Sequence, residues 1–198
     1  MGIVQPNFKA AGLNSNESAA IAALKNISSA QSQMQASGSI DVNGNGQGEY
    51  AFFAEMAGTL PLRGSKLPLA QPVLSEKFGN VVGGRVQRGG YWYQMFLPQT
   101  KDGWTTELPT GGGGPEVNAG AAEVSWMCYA WPVEPGKTGN RSFFISQYGD
   151  VLATNMANEV YGGGNAPLVG LSAFAADDSE YLYAANKEYK RGNTWVVI

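Results

Sequence analysis

The feature that most constrains this chain is an alanine-rich segment, residues 17–35, that contains neither glycine nor proline. Most of its residues are strong helix formers, and as a helix they would span roughly 28 Å. Residues 3–35 as a whole predict one long helix that starts abruptly. Asn14 and Glu17 fit a capping box just before the alanine-rich segment, and Gly38 is suited to end the helix. One narrow side of this helix carries small and apolar residues and one glutamine: Ala20, Leu24, Ile27, Gln31 and Met34. A stripe of this kind is suited to lie along a β-sheet.

Composition excludes several classes of function. The chain has 198 residues, which suits one domain, and a net charge of -3, which gives no electrostatic basis for nucleic acid as a partner. Histidine is absent, which removes Ser-His-Asp catalysis, Cys-His catalysis and histidine-ligated metal centres. We therefore expect a protein that is not an enzyme, and we expect its one cysteine, Cys128, to be buried and unreactive.

The second half of the chain has the character of a β-sheet. Residues 91–97 and 121–131 are rich in aromatic and β-branched side chains, and the second of these runs predicts a strand buried on both faces. Residues 141–147 and 151–154 predict a hairpin. A short helix is predicted at 49–57, a late helical turn at 179–186 and a closing strand at 194–198. The predicted fold class is α+β, with a long N-terminal helix packed on an antiparallel sheet. The helix, residues 1–36, and a globular head, residues 37–198, are expected to form one domain.

Several stretches resemble the type IV pilins and the type II secretion pseudopilins. Val4, Pro6, Asn7 and Phe8, followed by an alanine-rich helix, are similar to the segment that follows the transmembrane stretch in that family. Residues 16–58 resemble prepilin-type proteins, and residues 90–98 and 129–154 are similar to the tails of those proteins.

The resemblance implies a pilin-like fold and a non-enzymatic structural subunit of a type II secretion or type IV pilus filament. Its partners would be other pilin-like subunits and the inner-membrane assembly machinery. The head would lie in the periplasm or outside the cell, and a native inner-membrane anchor, absent from this sequence, would precede it. The residues expected at the assembly interface lie along the N-terminal helix: Ile3, Val4, Pro6, Phe8, Leu13, Ala20, Leu24 and Ile27.

The loop after the long helix carries a motif that suits Ca²⁺. Asp41, Asn43, Asn45 and Glu49 fit D-x-[DN]-x-[DN]-G-x-x-E, and Gln47 could add its backbone carbonyl. The twelfth position of an EF-hand would be Phe52 rather than glutamate, so an EF-hand is excluded. The alternative is a turn built on Asn-Gly and Asp side chains. No cofactor is required, Ca²⁺ is an optional ligand, and pseudopilins bind calcium near the end of the chain rather than here.

Other residues admit a second function. Six aromatic residues could form a platform that stacks on sugars, or could instead fill the core: Tyr91, Trp92, Tyr93, Trp126, Tyr129 and Trp131. An exposed platform would favour an exported carbohydrate- or peptide-binding module anchored at the cell envelope.

The segment Gly136-Lys137-Thr138 lacks the upstream glycine of a phosphate-binding loop and predicts a turn. Asp177, Asp178 and Glu180 form either a solvated loop or a cluster of carboxylates for acid-base chemistry or a metal.

Overall fold

The computed structural model describes residues 6–101, 103–166 and 193–198, with side chains described from residue 10 onward. The predicted helical turn at 179–186 and the carboxylate cluster of Asp177, Asp178 and Glu180 lie outside these residues.

The first element is a single helix, α1, Pro6–Ser37, of 32 residues. The long helix predicted over residues 3–35 is confirmed in its described part, and it begins well before the start that the capping pattern indicated. Proline is well tolerated in the first turn, because the N–H that it lacks would have no partner inside the helix. The predicted capping box is therefore wrong: Glu17 lies inside α1, and its carboxylate accepts hydrogen bonds from Asn140 N at 2.8 Å and Arg141 Nε at 2.7 Å. The end was predicted correctly, since Gly38 follows α1 with φ +61, a left-handed conformation that favours glycine.

The predicted apolar side of α1 is confirmed. Its five residues, Ala20, Leu24, Ile27, Gln31 and Met34, are each at most 1% exposed. The helix contacts the sheet and the short helix α2, Phe53–Met56. The C-terminal two thirds of α1 are thereby built into the core of the head.

In the described part of the chain, seven strands form one sheet in which every strand pairing is antiparallel, and α+β is the fold class. The spatial order is β1-β2-β4-β5-β6-β7, with β3 paired to the distal half of β2. The strands are β1 (Val86–Arg88), β2 (Tyr91–Pro98), β3 (Trp104–Thr106), β4 (Met127–Pro132), β5 (Ser142–Ser146), β6 (Leu152–Thr154) and β7 (Val196–Val197).

Both faces of the sheet are buried, because alternate residues of each central strand enter different cores. In β4, Cys128 and Ala130 face the core that contains α1, whereas Met127, Tyr129 and Trp131 face a second core. Residues that follow β6 in the chain cover that second core: Met156, Tyr161 and Trp195. The prediction that this strand is buried on both faces is confirmed.

Two predicted elements are shorter than expected. The strand predicted at 121–131 begins only at Met127, because Asn118 Oδ1 accepts Ala121 N and caps a one-turn helix, α3, Ala119–Ala122. The helix predicted at 49–57 is confined to α2. The backbone N–H groups before it are already engaged: Glu49 N with Ile40 O, Tyr50 N with Ala122 O and Ala51 N with Gln31 Oε1.

The hairpin β5–β6, the strand β2 and the closing strand β7 were predicted correctly in kind and position. Within the described part of the chain, no helix combines the length and the apolarity that crossing a bilayer requires.

Candidate functional site

The oxygen-rich loop between α1 and α2 folds around its own side chains. The Asp41 carboxylate accepts hydrogen bonds from the backbone N–H groups of Asn45 at 3.1 Å and Gly46 at 2.9 Å. Asn43 Oδ1 accepts a hydrogen bond from Asn45 N–H at 3.0 Å, and Asn45 Oδ1 accepts one from Gln47 N–H at 2.8 Å. Three oxygen-bearing side chains at alternate positions are thus held in fixed orientations within one turn.

A glutamate from another part of the chain completes this loop. Glu123 directly follows α3, and its Oε1 accepts Asn43 Nδ2 at 2.6 Å and Asn45 Nδ2 at 2.9 Å. The residue is only 7% exposed. Sequence reasoning missed Glu123, because it lies 78 residues beyond Asn45 and belongs to no recognisable motif. We call Asp41, Asn43, Asn45 and Glu123 the loop cluster.

Glu49, predicted as a ligand in this loop, is engaged elsewhere. Its Oε1 accepts Val42 N at 2.7 Å, and its Oε2 lies 3.4 Å from Arg63 Nη1. The Arg63 guanidinium also pairs with Glu55 and donates to Tyr50 O. Because its negative charge is already met by a buried arginine, Glu49 serves to hold the base of the loop and is removed from the predicted ligand set. Gln47 has an exposed side chain.

Glu107 is a second buried carboxylate with a structural task. Its oxygens accept hydrogen bonds from three backbone N–H groups, those of Ala54 at 2.8 Å, Gly112 at 2.9 Å and Phe53 at 3.2 Å. Burial raises the pKa of Glu107 to about 7, although these three N–H donors act in the opposite direction. A carboxyl that titrates near neutrality suits acid-base catalysis. However, Glu107 is 1% exposed and both of its oxygens accept hydrogen bonds from backbone N–H groups, so it fixes the start of α2 against the loop at Gly112.

The aromatic residues fill the core rather than forming a sugar-stacking surface. Five of the six are at most 2% exposed: Tyr91, Tyr93, Trp126, Tyr129 and Trp131. The sixth, Trp92, is half-buried, and the Arg85 guanidinium lies 5.4 Å from its ring centroid. Burial likewise raises the pKa of Tyr93 and of the Cys128 thiol. The prediction that Cys128 is buried is confirmed, and the proposed platform is not formed by these side chains.

The Gly136-Lys137-Thr138 segment is a turn, as predicted. Lys137 N and Thr138 N donate to Glu134 O, and Lys137 Nζ lies 2.7 Å from Glu134 Oε2. This turn also contacts α1, because Asn16 Nδ2 donates to Thr138 O at 3.0 Å.

The residues predicted at the assembly interface lie in different surroundings. Leu24, Ala20 and Ile27 are buried against the sheet of their own chain, so this part of the predicted interface is corrected to core. Leu13 is 9% exposed. Pro6 and Phe8 lie in the first turns of α1, whereas Ile3 and Val4 precede the described residues.

The upstream turns of α1 are accessible where their side chains are described. Ala10, Ala11 and Gly12 are exposed, and polar contacts to the head begin only at Asn16 and Glu17. From Leu13 onward one side of α1 is buried against the head, and the opposite side, which includes Lys25 and Gln33, stays exposed.

Comparison with known proteins yields no relative. No protein-family model, no curated protein and no solved structure matches this chain.

Proposed function

We propose that this chain is a non-enzymatic, pilin-like structural subunit that joins a filament through the upstream end of α1. The observation that carries the proposal is the two-part character of that helix. One side of its downstream part is buried against the head, while its first described residues, Ala10 to Gly12, are exposed. Residues 6–12 make up roughly 10 Å of this helix.

The two parts of α1 have different tasks under this proposal. Ala20, Leu24 and Ile27 fix the helix to the sheet and set the direction in which its upstream end points. Contacts with neighbouring subunits are then made by the upstream residues, among them Ile3, Val4, Pro6 and Phe8. Small side chains at Ala10, Ala11 and Gly12 allow close approach of another helix.

The resemblance to pilins and pseudopilins supplies the remaining parts of the proposal. The natural protein would be held in the inner membrane by an apolar segment upstream of residue 1, and an assembly machinery would extract and stack it. The head would lie in the periplasm or outside the cell. By the same resemblance, a chain of this kind performs no chemistry.

Site-specific photocrosslinking tests the proposal. The natural gene would be expressed in its own cells with p-benzoylphenylalanine at position 10 or 11, and adducts would be identified by mass spectrometry. Position 67 is the control, because Leu67 is 71% exposed on a loop of the head. We expect adducts from position 10 or 11 to the N-terminal helix of a pilin-like subunit, and none of these from position 67.

Two results would contradict the proposal. One is a protein that irradiation leaves monomeric at both helix positions although the label is incorporated. The other is a set of adducts confined to proteins that carry no pilin-like helix.

A further inference from the structure

We propose that the cavity beside Glu49 and Arg63 binds a small ligand that carries a primary carboxamide on a short apolar chain. This cavity has a volume of about 220 Å³. Its walls come from the loop after α1, from Arg63 and Gly64, and from the chain around Gly113 and Gly114. The proposal concerns the head alone and does not depend on filament assembly.

The first argument is that Glu49 and Arg63 each have one buried polar atom without a hydrogen bond to any described residue. Glu49 Oε1 accepts a hydrogen bond from Val42 N–H, whereas Glu49 Oε2 accepts none. Arg63 Nε donates to Glu55 Oε1 and Arg63 Nη2 donates to Tyr50 O, whereas Arg63 Nη1 makes no hydrogen bond. The two side chains are 0% and 5% exposed. Buried polar atoms in folded proteins normally have hydrogen-bond partners, so this acceptor and this donor indicate a ligand.

The second argument is that these two atoms are neighbours. Glu49 Oε2 and Arg63 Nη1 lie 3.4 Å apart, a distance at which their charges attract but which exceeds the usual length of an N–H···O hydrogen bond. Both residues line the same cavity. One water takes up about 30 Å³ in the liquid, so the cavity is larger than a single bridging water requires. An acceptor beside a donor is complementary to a ligand group that also has a donor beside an acceptor.

The charges around the cavity favour a neutral ligand. Glu49 and Glu55 both flank one guanidinium, so an anion would meet more negative than positive charge. A cation would lie beside Arg63, which is always charged. A carboxamide is neutral and carries an oxygen acceptor and an N–H donor on one carbon. After a slight separation of the two side chains, its oxygen would accept from Arg63 Nη1 and its N–H would donate to Glu49 Oε2.

The same kind of pairing occurs inside this protein. The Gln31 carboxamide donates to Ala51 O at 2.8 Å and accepts from Ala51 N–H at 2.9 Å. One carboxamide there satisfies a donor and an acceptor that lie side by side in the core. A ligand carboxamide would do the same for Glu49 and Arg63.

The remaining walls of the cavity suit an apolar chain. Val42, Pro115 and Val117 line it, and Val42 is 51% exposed, so the cavity reaches the surface there. Gly113 packs directly on the stem of Arg63, because a Cβ at position 113 would lie 2.4 Å from Arg63 Cδ. The apolar side chains would cover the short chain of the ligand, while its carboxamide would lie against the two charged residues.

Nuclear magnetic resonance titration tests the proposal on the full chain. The ¹⁵N-labelled protein would be titrated with isobutyramide, and in parallel with isobutyrate and N,N-dimethylisobutyramide, neither of which has an N–H donor. We expect isobutyramide to cause saturable changes in the amide signals of Gly64, Gly113 and Gly114. The other two compounds should cause much smaller changes, because they cannot donate to Glu49 Oε2.

A variant at the cavity entrance and a matched control complete the test. Val42→Trp fills the entrance from an exposed position and should abolish the signal changes, whereas Leu67→Trp, at a residue that is 71% exposed and outside the cavity, should leave them intact. Glu49→Gln should weaken binding, because the hydrogen bond from Val42 N–H takes its oxygen and turns its NH₂ toward Arg63.

Three results would overturn the proposal. The first is an unchanged set of glycine signals at saturating isobutyramide. The second is equal binding of isobutyrate or the dimethyl amide. The third is folded Val42→Trp that binds isobutyramide as tightly as the unchanged chain.

Discussion

The side chain of Gln31 gives the sharpest prediction about stability, because it hydrogen-bonds to both the N–H and the C=O of a backbone residue. Its Oε1 accepts Ala51 N at 2.9 Å and its Nε2 donates to Ala51 O at 2.8 Å. Both residues are 0% exposed. No backbone group in the described residues takes the place of Gln31 at either atom of Ala51. One side chain on α1 thus fixes the segment that leads into α2.

Replacing Gln31 by methionine removes both hydrogen bonds while keeping length and helix propensity. Each buried backbone group left without a partner costs about 1 to 3 kcal/mol, or roughly 4 kcal/mol for the two together. Burying the more apolar methionine recovers about 1 to 2 kcal/mol of that. We therefore expect Gln31→Met to lower the free energy of unfolding by about 2 to 3 kcal/mol, which corresponds to roughly 4 to 12 °C in melting temperature for a chain of this size.

Urea unfolding followed by tryptophan fluorescence measures this change. The matched control is Gln33→Met, because Gln33 lies two residues further along the same helix, is exposed, and donates only to Ser29 O. The control should stay within about 0.5 kcal/mol of the unchanged chain. If Gln31→Met and Gln33→Met have equal urea midpoints, with unchanged slopes, then the Ala51 backbone does not depend on Gln31 and the reasoning is refuted.

Two further predictions concern buried side chains. The folded chain keeps a proton on Glu107 up to about pH 7, whereas the unfolded chain loses it near the ordinary pKa of 4.5. Glu107 therefore makes the free energy of unfolding fall by about 3 kcal/mol as pH rises from 4.5 to 7. Urea midpoints between pH 4.5 and 7.5 should fall less steeply in Glu107→Gln, and parallel slopes would contradict the raised pKa. Leu24→Ala, at a fully buried position, should cost about 2 to 5 kcal/mol, and Leu67→Ala, at an exposed one, less than about 0.5 kcal/mol. Equal losses in the two alanine variants would mean that Leu24 is not in the core.

The predicted calcium motif and the observed cluster agree in three residues and differ in the fourth. Asp41, Asn43 and Asn45 were found from their alternate spacing, since a tight loop brings alternate side chains together. Glu49 fitted the same spacing, but Arg63 draws its carboxylate away from the loop. A local pattern carries no information about an arginine 14 residues further along, so the pairing of Glu49 with Arg63 could not be predicted from it.

The predicted assembly surface shows a similar limit. Periodicity identified Ala20, Leu24 and Ile27 as one side of a helix, and that side exists as predicted. Periodicity does not say whether an apolar side faces a sheet of the same chain or a neighbouring subunit, because both partners bury it equally well. The sheet of the head occupies it here, which leaves the upstream turns of α1 as the available surface.

Several features could be predicted without the structure, because they depend on residues that are neighbours along the chain. These are the long helix, its end at Gly38, the aromatic strands, the hairpin and the loop with alternating oxygen side chains. Each follows from local propensity, from period or from a residue that tolerates a left-handed backbone.

The contacts between groups that are distant along the chain depend on how the whole chain packs. This packing placed Glu17 against Arg141, Gln31 against Ala51, and Glu123 against the loop of Asn43 and Asn45. These contacts arise because a buried polar atom must find a partner wherever the packed chain offers one, and that choice depends on the whole fold rather than on spacing.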